Sequence, residues 1–130
     1  MSDGGFDPII GALNTSLNLR LANQNVISSN IANADTPGYK AQTMEFESAF
    51  RDALNAQGGI ASHPRATDPV EPEVYEDPNG VESLDGNTVD RSSEMAKMAE
   101  NQLLYDASVE LLKRKLAMLK YGITEGGGNR

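Results

Sequence analysis

Apolar residues recur at helical spacing at both ends of the chain and lose that rhythm in the middle. Steps of three and four from Ile10 reach Leu13, Leu17, Arg20, Gln24, Ile27, Ile31 and Ala34, a heptad-like stripe interrupted by two polar residues. The same steps from Met95 reach Met98, Gln102, Tyr105, Val109, Leu112, Leu116, Leu119 and Ile123, with one polar interruption. These patterns predict one long helix over 7–34 and another over 90–123, paired along the two stripes. Asp7 suits the N-cap of the first, Pro8 its first turn, where no N–H is needed, and Asp90 the cap of the second. Gly122 reads as the end of the second helix, with Ile123 a contact just past it, and 124–130 as a flexible tail that includes Gly126-Gly127-Gly128. Between them, Phe46, Phe50, Ala53 and Leu54 lie at helical spacing before Gly58-Gly59, so 35–57 reads as a turn, an extended stretch and a short helix.

Each long helix carries a second apolar stripe off its seam: Ala12, Leu19 and Val26 on the first, Leu104, Leu111 and Met118 on the last. A pair of helices buries one stripe from each, and burial is worth about 25 cal/mol per Å². Two readings follow. Either the short helix covers a wide core face, or the second stripes pack against other molecules, which is the reading favoured here. The fold class is then mainly α: two long terminal helices forming an antiparallel coiled-coil hairpin, with a short helix and a largely irregular Pro-rich acidic middle.

Composition sharpens the contrast between ends and centre. Leu, Ile, Val and Phe make up 27 of 130 residues, near the ~20% level at which strongly charged chains lose a core. Net charge is −8 overall, but 45–90 carries 2 basic and 11 acidic groups while 91–130 carries 7 basic and 5 acidic. Four of the six prolines fall between His63 and Pro78, so 58–89 reads as a loose acidic loop. Clustered cations with aromatic partners are lacking, which argues against nucleic acid. No run of about 18 apolar residues suggests a membrane span, and Met1–Gly5 has neither the basic nor the apolar region of a cleaved signal, so the sequence reads as soluble. With no cysteine, thiol chemistry is excluded. His63 reads as a solvated surface residue, and carboxylates on a Pro-rich arm lack the rigid spacing that acid–base catalysis requires. Catalytic, cofactor and metal sites are therefore expected to be absent. Lys113-Arg114-Lys115 suits the dipole at a helix C-terminus, with an acidic partner surface as the alternative.

The segment Ser29-Asn30-Ile31-Ala32-Asn33-Ala34-Asp35-Thr36-Pro37-Gly38-Tyr39-Lys40-Ala41 ends a helix and reverses the chain. Pro37 moves Thr36 out of helical conformation, and Pro37-Gly38 fits the centre of a type II turn. As a pattern it resembles the N-terminal signature of the bacterial flagellar axial family of rod, hook and hook-associated proteins. The unbroken run from Asn33 to Tyr39, the Asp85-Gly86-Asn87-Thr88-Val89-Asp90 stretch before the last helix, and a length without room for a hook-type outer domain resemble a proximal rod subunit. Another rod or axial adaptor subunit, or a free coiled-coil module, is the alternative.

The resemblance implies a structural subunit of the basal-body rod in the periplasm, exported by the flagellar type III apparatus without a cleaved signal. Its expected partners are further copies of itself, other rod subunits, and components of the membrane ring and export gate. Leu13, Leu17, Ile27, Ile31, Met98, Tyr105, Val109, Leu112, Leu116 and Leu119 are then expected in the intramolecular seam. Leu19, Val26, Asn30, Asn33, Asp35, Thr36, Pro37, Gly38, Tyr39, Leu104, Leu111 and Met118 are expected at the subunit interface.

Overall fold

The structure, a computed structural model, describes the backbone of residues 8–58 and 71–128 and the side chains of 8–55 and 71–123. Its elements are helix α1 (Pro8–Ala32), strand β1 (Gln42–Met44), helix α2 (Phe46–Gly58), strand β2 (Val74–Glu76) and helix α3 (Arg91–Gly128). The protein is mainly helical, with the two long terminal helices packed together. Hydrogen bonds fix their relative direction: Asn30 meets Glu94, and Asn23 meets Asn101, so α3 runs backwards along α1.

Pro8 opens α1 where a missing N–H costs nothing; Asp7, the expected cap, lies outside the described residues. The helix stops at Ala32 rather than Ala34, tightening into i→i+3 bonds from Ala34 N–H to Ile31 C=O and from Thr36 N–H to Asn33 C=O. Asp90 caps α3 by accepting the Ser93 N–H at 3.1 Å. At its far end α3 does not stop at Gly122 but continues to Gly128, so the tail expected over 124–128 is helical. The reason is local: Gly122 has a helical backbone, no proline follows, and an interior glycine costs only about 1 kcal/mol.

The core lies between α1 and α2. Leu19, Met44 and Ala49 are buried together, with Ala22, Phe46 and Phe50 packed against them. Phe46 and Phe50 stack at 5.7 Å, and the Arg20 guanidinium lies 3.7 Å from the Phe46 ring centre. Burial pulls the pKa of the Arg20 guanidinium below its ordinary value, an effect opposed by Glu100. α2 thus covers part of the second stripe of α1. Leu19, expected on an outward face, is only 2% exposed in this core, because Phe46, Ala49 and Phe50 at i, i+3 and i+4 form the lid over it.

The expectation of a loose acidic middle also needs correction where it can be tested, over 71–89; His63, Pro64 and Pro69 lie outside the described residues. β2 pairs antiparallel with β1, matching Gln42 to Glu76, Thr43 to Tyr75 and Met44 to Val74. Beyond β2 the chain is pinned by backbone bonds from Asp77 N–H to Ala41 C=O and from Thr88 N–H to Tyr39 C=O. The prolines stop helix formation without loosening the segment, because the chain of 38–44 supplies the missing hydrogen-bond partners. No helix among the described residues is long and apolar enough to cross a membrane.

Candidate functional site: the signature turn and the helix flanks

Residues 36–39 form a turn of type II geometry: Tyr39 N–H bonds Thr36 C=O at 3.2 Å, and Gly38 takes the required positive φ of 74°. A second turn backs it. Gly86 N–H bonds Ser83 C=O at 2.9 Å, Gly86 has φ 82°, and Gly38 N–H reaches Asp85 C=O at 2.9 Å. A Cβ on Gly86 would stand 3.4 Å from Gly38 Cα, so two glycines in left-handed conformation meet back to back. Asp85 holds the second turn by accepting from Ser83 Oγ and the Asn87 N–H, and the Ser83 bond first, then Asn87, lowers its carboxyl pKa below 3.8. Asn87 closes the unit by donating through Nδ2 to both Asn33 C=O and Thr36 C=O at 2.8 Å. Lys40 donates to Gly86 C=O at 2.8 Å and pairs with Glu82 at 3.2 Å.

Asn30 ties this unit to α1 and α3. Its side chain is fully buried, with 0% exposure. Oδ1 accepts from Gln42 N–H at 2.9 Å and Tyr39 OH at 3.1 Å, while Nδ2 donates to Gln42 C=O at 2.7 Å and Glu94 Oε2 at 3.0 Å. Every polar atom of the amide is thus satisfied, which is the condition for burying it. The Glu94 carboxylate is buried too, and pairs with Lys97 at 3.1 Å, which also lies 3.5 Å from Asp77. Burial pulls the Lys97 pKa down, but Glu94 and Asp77 outweigh it and the net shift is upward from 10.5. Asn30 was expected at the subunit interface; it is an internal junction, because β1 passes close enough to bond its amide on both sides.

The other turn residues divide by position. Asn33 and Tyr39 are half-buried, with Asn33 accepting from Thr36 Oγ1 and donating to Ser29 C=O. Asp35, Thr36, Pro37 and Gly38 are exposed at the tip, where Asp35 pairs with Arg91 at 3.0 Å. Val26 is half-buried and lines, with Ile27, Gln42, Glu94 and Asn101, a polar cavity of about 190 Å³ between α1, β1 and α3.

Along the helix pair, Ile27 is buried, and Leu13, Leu17, Ile31, Met98, Tyr105, Val109 and Leu112 are half-buried. Leu116 and Leu119, expected in the seam, are exposed instead. The pairing of 30 with 94 and 23 with 101 places the partner of Pro8 near Leu116, so 117–128 extends past the described start of α1 by about 18 Å. Leu104, expected on an outward stripe, is half-buried, whereas Leu111 (54%) and Met118 (66%) are exposed.

Hydrophobic spacing found Met98, Tyr105, Val109 and Leu112 on the partly covered face of α3 but not its buried polar positions. Met95 and Gln102 point outward, while Glu94 and Asn101 are buried. Asn101 donates to Arg20 C=O at 2.8 Å and Gln24 Oε1 at 2.9 Å, and accepts from Asn23 Nδ2 at 3.1 Å. Glu94 and Asn101 were therefore missed, while Asn87, Thr88 and Lys40 stood in the quoted motif runs without being named as site residues. The available signal was the seven-residue interval that separates Asn23 from Asn30 on one helix and Glu94 from Asn101 on the other.

A long helix pair braced by a glycine-dependent turn offers extended surfaces, the build of a structural protein. In agreement, the family described as "Flagella basal body rod protein" matches residues 12–40, the stretch that makes up most of α1 and the signature turn. The chain is 35% identical to "Flagellar basal body rod protein FlgB" of Aeromonas hydrophila, across 88% of this chain and 91% of that protein. Proteins of the same description from Cereibacter sphaeroides (38% identical, 92% and 96% covered) and Salmonella typhimurium (34%, 86% and 89%) are similar. The chain belongs to the FlgB family of flagellar basal body rod proteins, and is a structural subunit of the basal body rod rather than an enzyme.

Proposed function

We propose that the chain polymerises within the proximal part of the rod through its terminal helices, paired as an antiparallel coiled coil, and so joins the membrane-embedded base to the rest of the rod and carries torque. The observation that supports this most is the run of exposed apolar side chains on the distal part of α3. From Leu111 onward, Leu111, Leu116, Met118, Leu119, Tyr121 and Ile123 are all exposed, apolar surface that burial against a neighbour would remove from water. Many small apolar contacts spread along helices of about 37 Å and 57 Å distribute a load that no single bond would bear. The exposed turn tip, Asp35 to Gly38, is held rigidly enough to present one shape to a neighbour.

On this reading the subunit sits in the periplasm, contacts copies of itself, other rod subunits and components of the membrane ring and export gate, and reaches them through the flagellar type III apparatus. The distal part of α3 extends past the described start of α1 and is marginal as an isolated helix, so in the free subunit it is disordered and orders on incorporation, while the core around α1 and α2 stays folded. Leu111→Asp leaves the core untouched and should abolish incorporation into basal bodies, and with it motility, while the monomer stays soluble. Normal swimming by that variant, or a discrete soluble dimer that never enters basal bodies, overturns the proposal.

A further inference from the structure

Two exposed surfaces of the described residues carry opposite charge, and of the basic side chains on the first, Lys113 lies 3.8 Å from Glu110 one turn earlier. Residues 111–123 hold four basic groups and no acidic one. On α3, Leu111, Arg114, Met118 and Tyr121 follow each other at helical steps on an exposed face, flanked by exposed Lys113 and Lys120. The opposite character appears beside α2. Between α2 and the chain entering β2 lies a groove of about 290 Å³ with Glu45, Asp52, Glu71 and Glu73 around Ala49 and Tyr75. All four carboxylates are exposed, and among the described residues no ion pair engages any of them.

We propose that the groove between α2 and β2 receives the distal, basic part of α3 from a second copy of this chain. The cationic flanks meet the carboxylate rim, and the stripe through Leu111 and Met118 covers Tyr75 and its surroundings. Opposite charge selects this pairing over alternatives, since two grooves or two distal helices facing each other would repel. The contact joins two different surfaces, so each copy offers one and accepts one, and repetition builds an open series rather than a closed pair. This inference rests on the proposed polymerisation through the terminal helices and specifies one of its contacts.

The test exchanges the charges. Lys113→Glu with Arg114→Glu, and separately Glu71→Lys with Glu73→Lys, should each cut incorporation into purified basal bodies by about tenfold, because like charges then face each other. The chain carrying all four substitutions should recover to within about threefold of wild type, since the pairing is restored with its signs reversed. A second measurement uses the absence of native cysteine: Glu73→Cys with Arg114→Cys should yield covalent multimers of this chain on oxidation in basal bodies, and neither single variant should. Double reversals that incorporate normally, a fourfold variant no better than the doubles, or a cysteine pair that gives no chain-to-chain product overturns the contact. If Leu111→Asp blocks incorporation while the charge reversals do not, terminal-helix assembly stands and only this contact falls.

Discussion

Asn30 satisfies four partners with one amide, so replacing it strands several groups at once. Asn30→Leu leaves Gln42 N–H and part of the Glu94 carboxylate buried without a partner and should cost roughly 3 kcal/mol, read as a lowered urea midpoint by circular dichroism. The two back-to-back glycines share one constraint. Gly38→Ala and Gly86→Ala both force an alanine into left-handed backbone at about 1–2 kcal/mol. A methyl group meets nothing within 4 Å at Gly38 and stands at ordinary contact distance, 3.4 Å, from Gly38 Cα at Gly86, so both variants should lose stability through the backbone alone and by similar amounts in the same measurement. The titrating groups act in opposite directions. The folded-state pKa of Asp85 is lowered, so its contribution is complete above 3.8 and disappears as pH falls through the folded value. That of Lys97 is raised, so its contribution holds below 10.5 and disappears as pH rises through the folded value. The stability gap between wild type and Asp85→Asn should therefore close in acid, and that between wild type and Lys97→Met in alkali.

At the scale of elements, helix boundaries were legible where a residue physically compels them. Pro8 and Asp90 open helices, and Pro37-Gly38 reverses the chain, because a missing N–H, a capping carboxylate and a positive φ each admit few alternatives. Gly122 compels nothing, and the reading of it as a stop failed. Since Gly122 is helical and a Cβ there meets nothing within 4 Å, Gly122→Ala should stabilise α3 by about 1 kcal/mol and raise helicity by far-ultraviolet circular dichroism. A loss of helicity would mean that the helix ends there after all. The buried polar positions of α3 were missed for a different reason: periodicity weighs apolar residues, and this helix turns Glu94 and Asn101 inward while leaving Met95 wet. The pairing of β1 with β2 was hidden because three-residue strands carry no alternation to read and are made by long-range partners.

For the whole molecule, the candidate site was legible as a signature and not as an arrangement. The run from Asn33 to Tyr39 marks the turn, but nothing local says that Asn87, more than 50 residues away, donates to Asn33 and Thr36, or that Leu19 is roofed by α2. The two layers that cross between α1 and α3, Asn23 with Asn101 and Asn30 with Glu94, also have a mechanical meaning. A purely aliphatic contact lets one rod creep along another at little cost. Here a slip by one heptad in one direction sets Asn23 against Glu94 and leaves Asn30 with no helical counterpart, in the other it sets Asn30 against Asn101 and leaves Glu94 beyond the end of α1, and smaller slips press amides onto hydrocarbon. The two helices are indexed like a keyed joint: under a sliding load the pair holds its length until both keys shear, and then gives way at once.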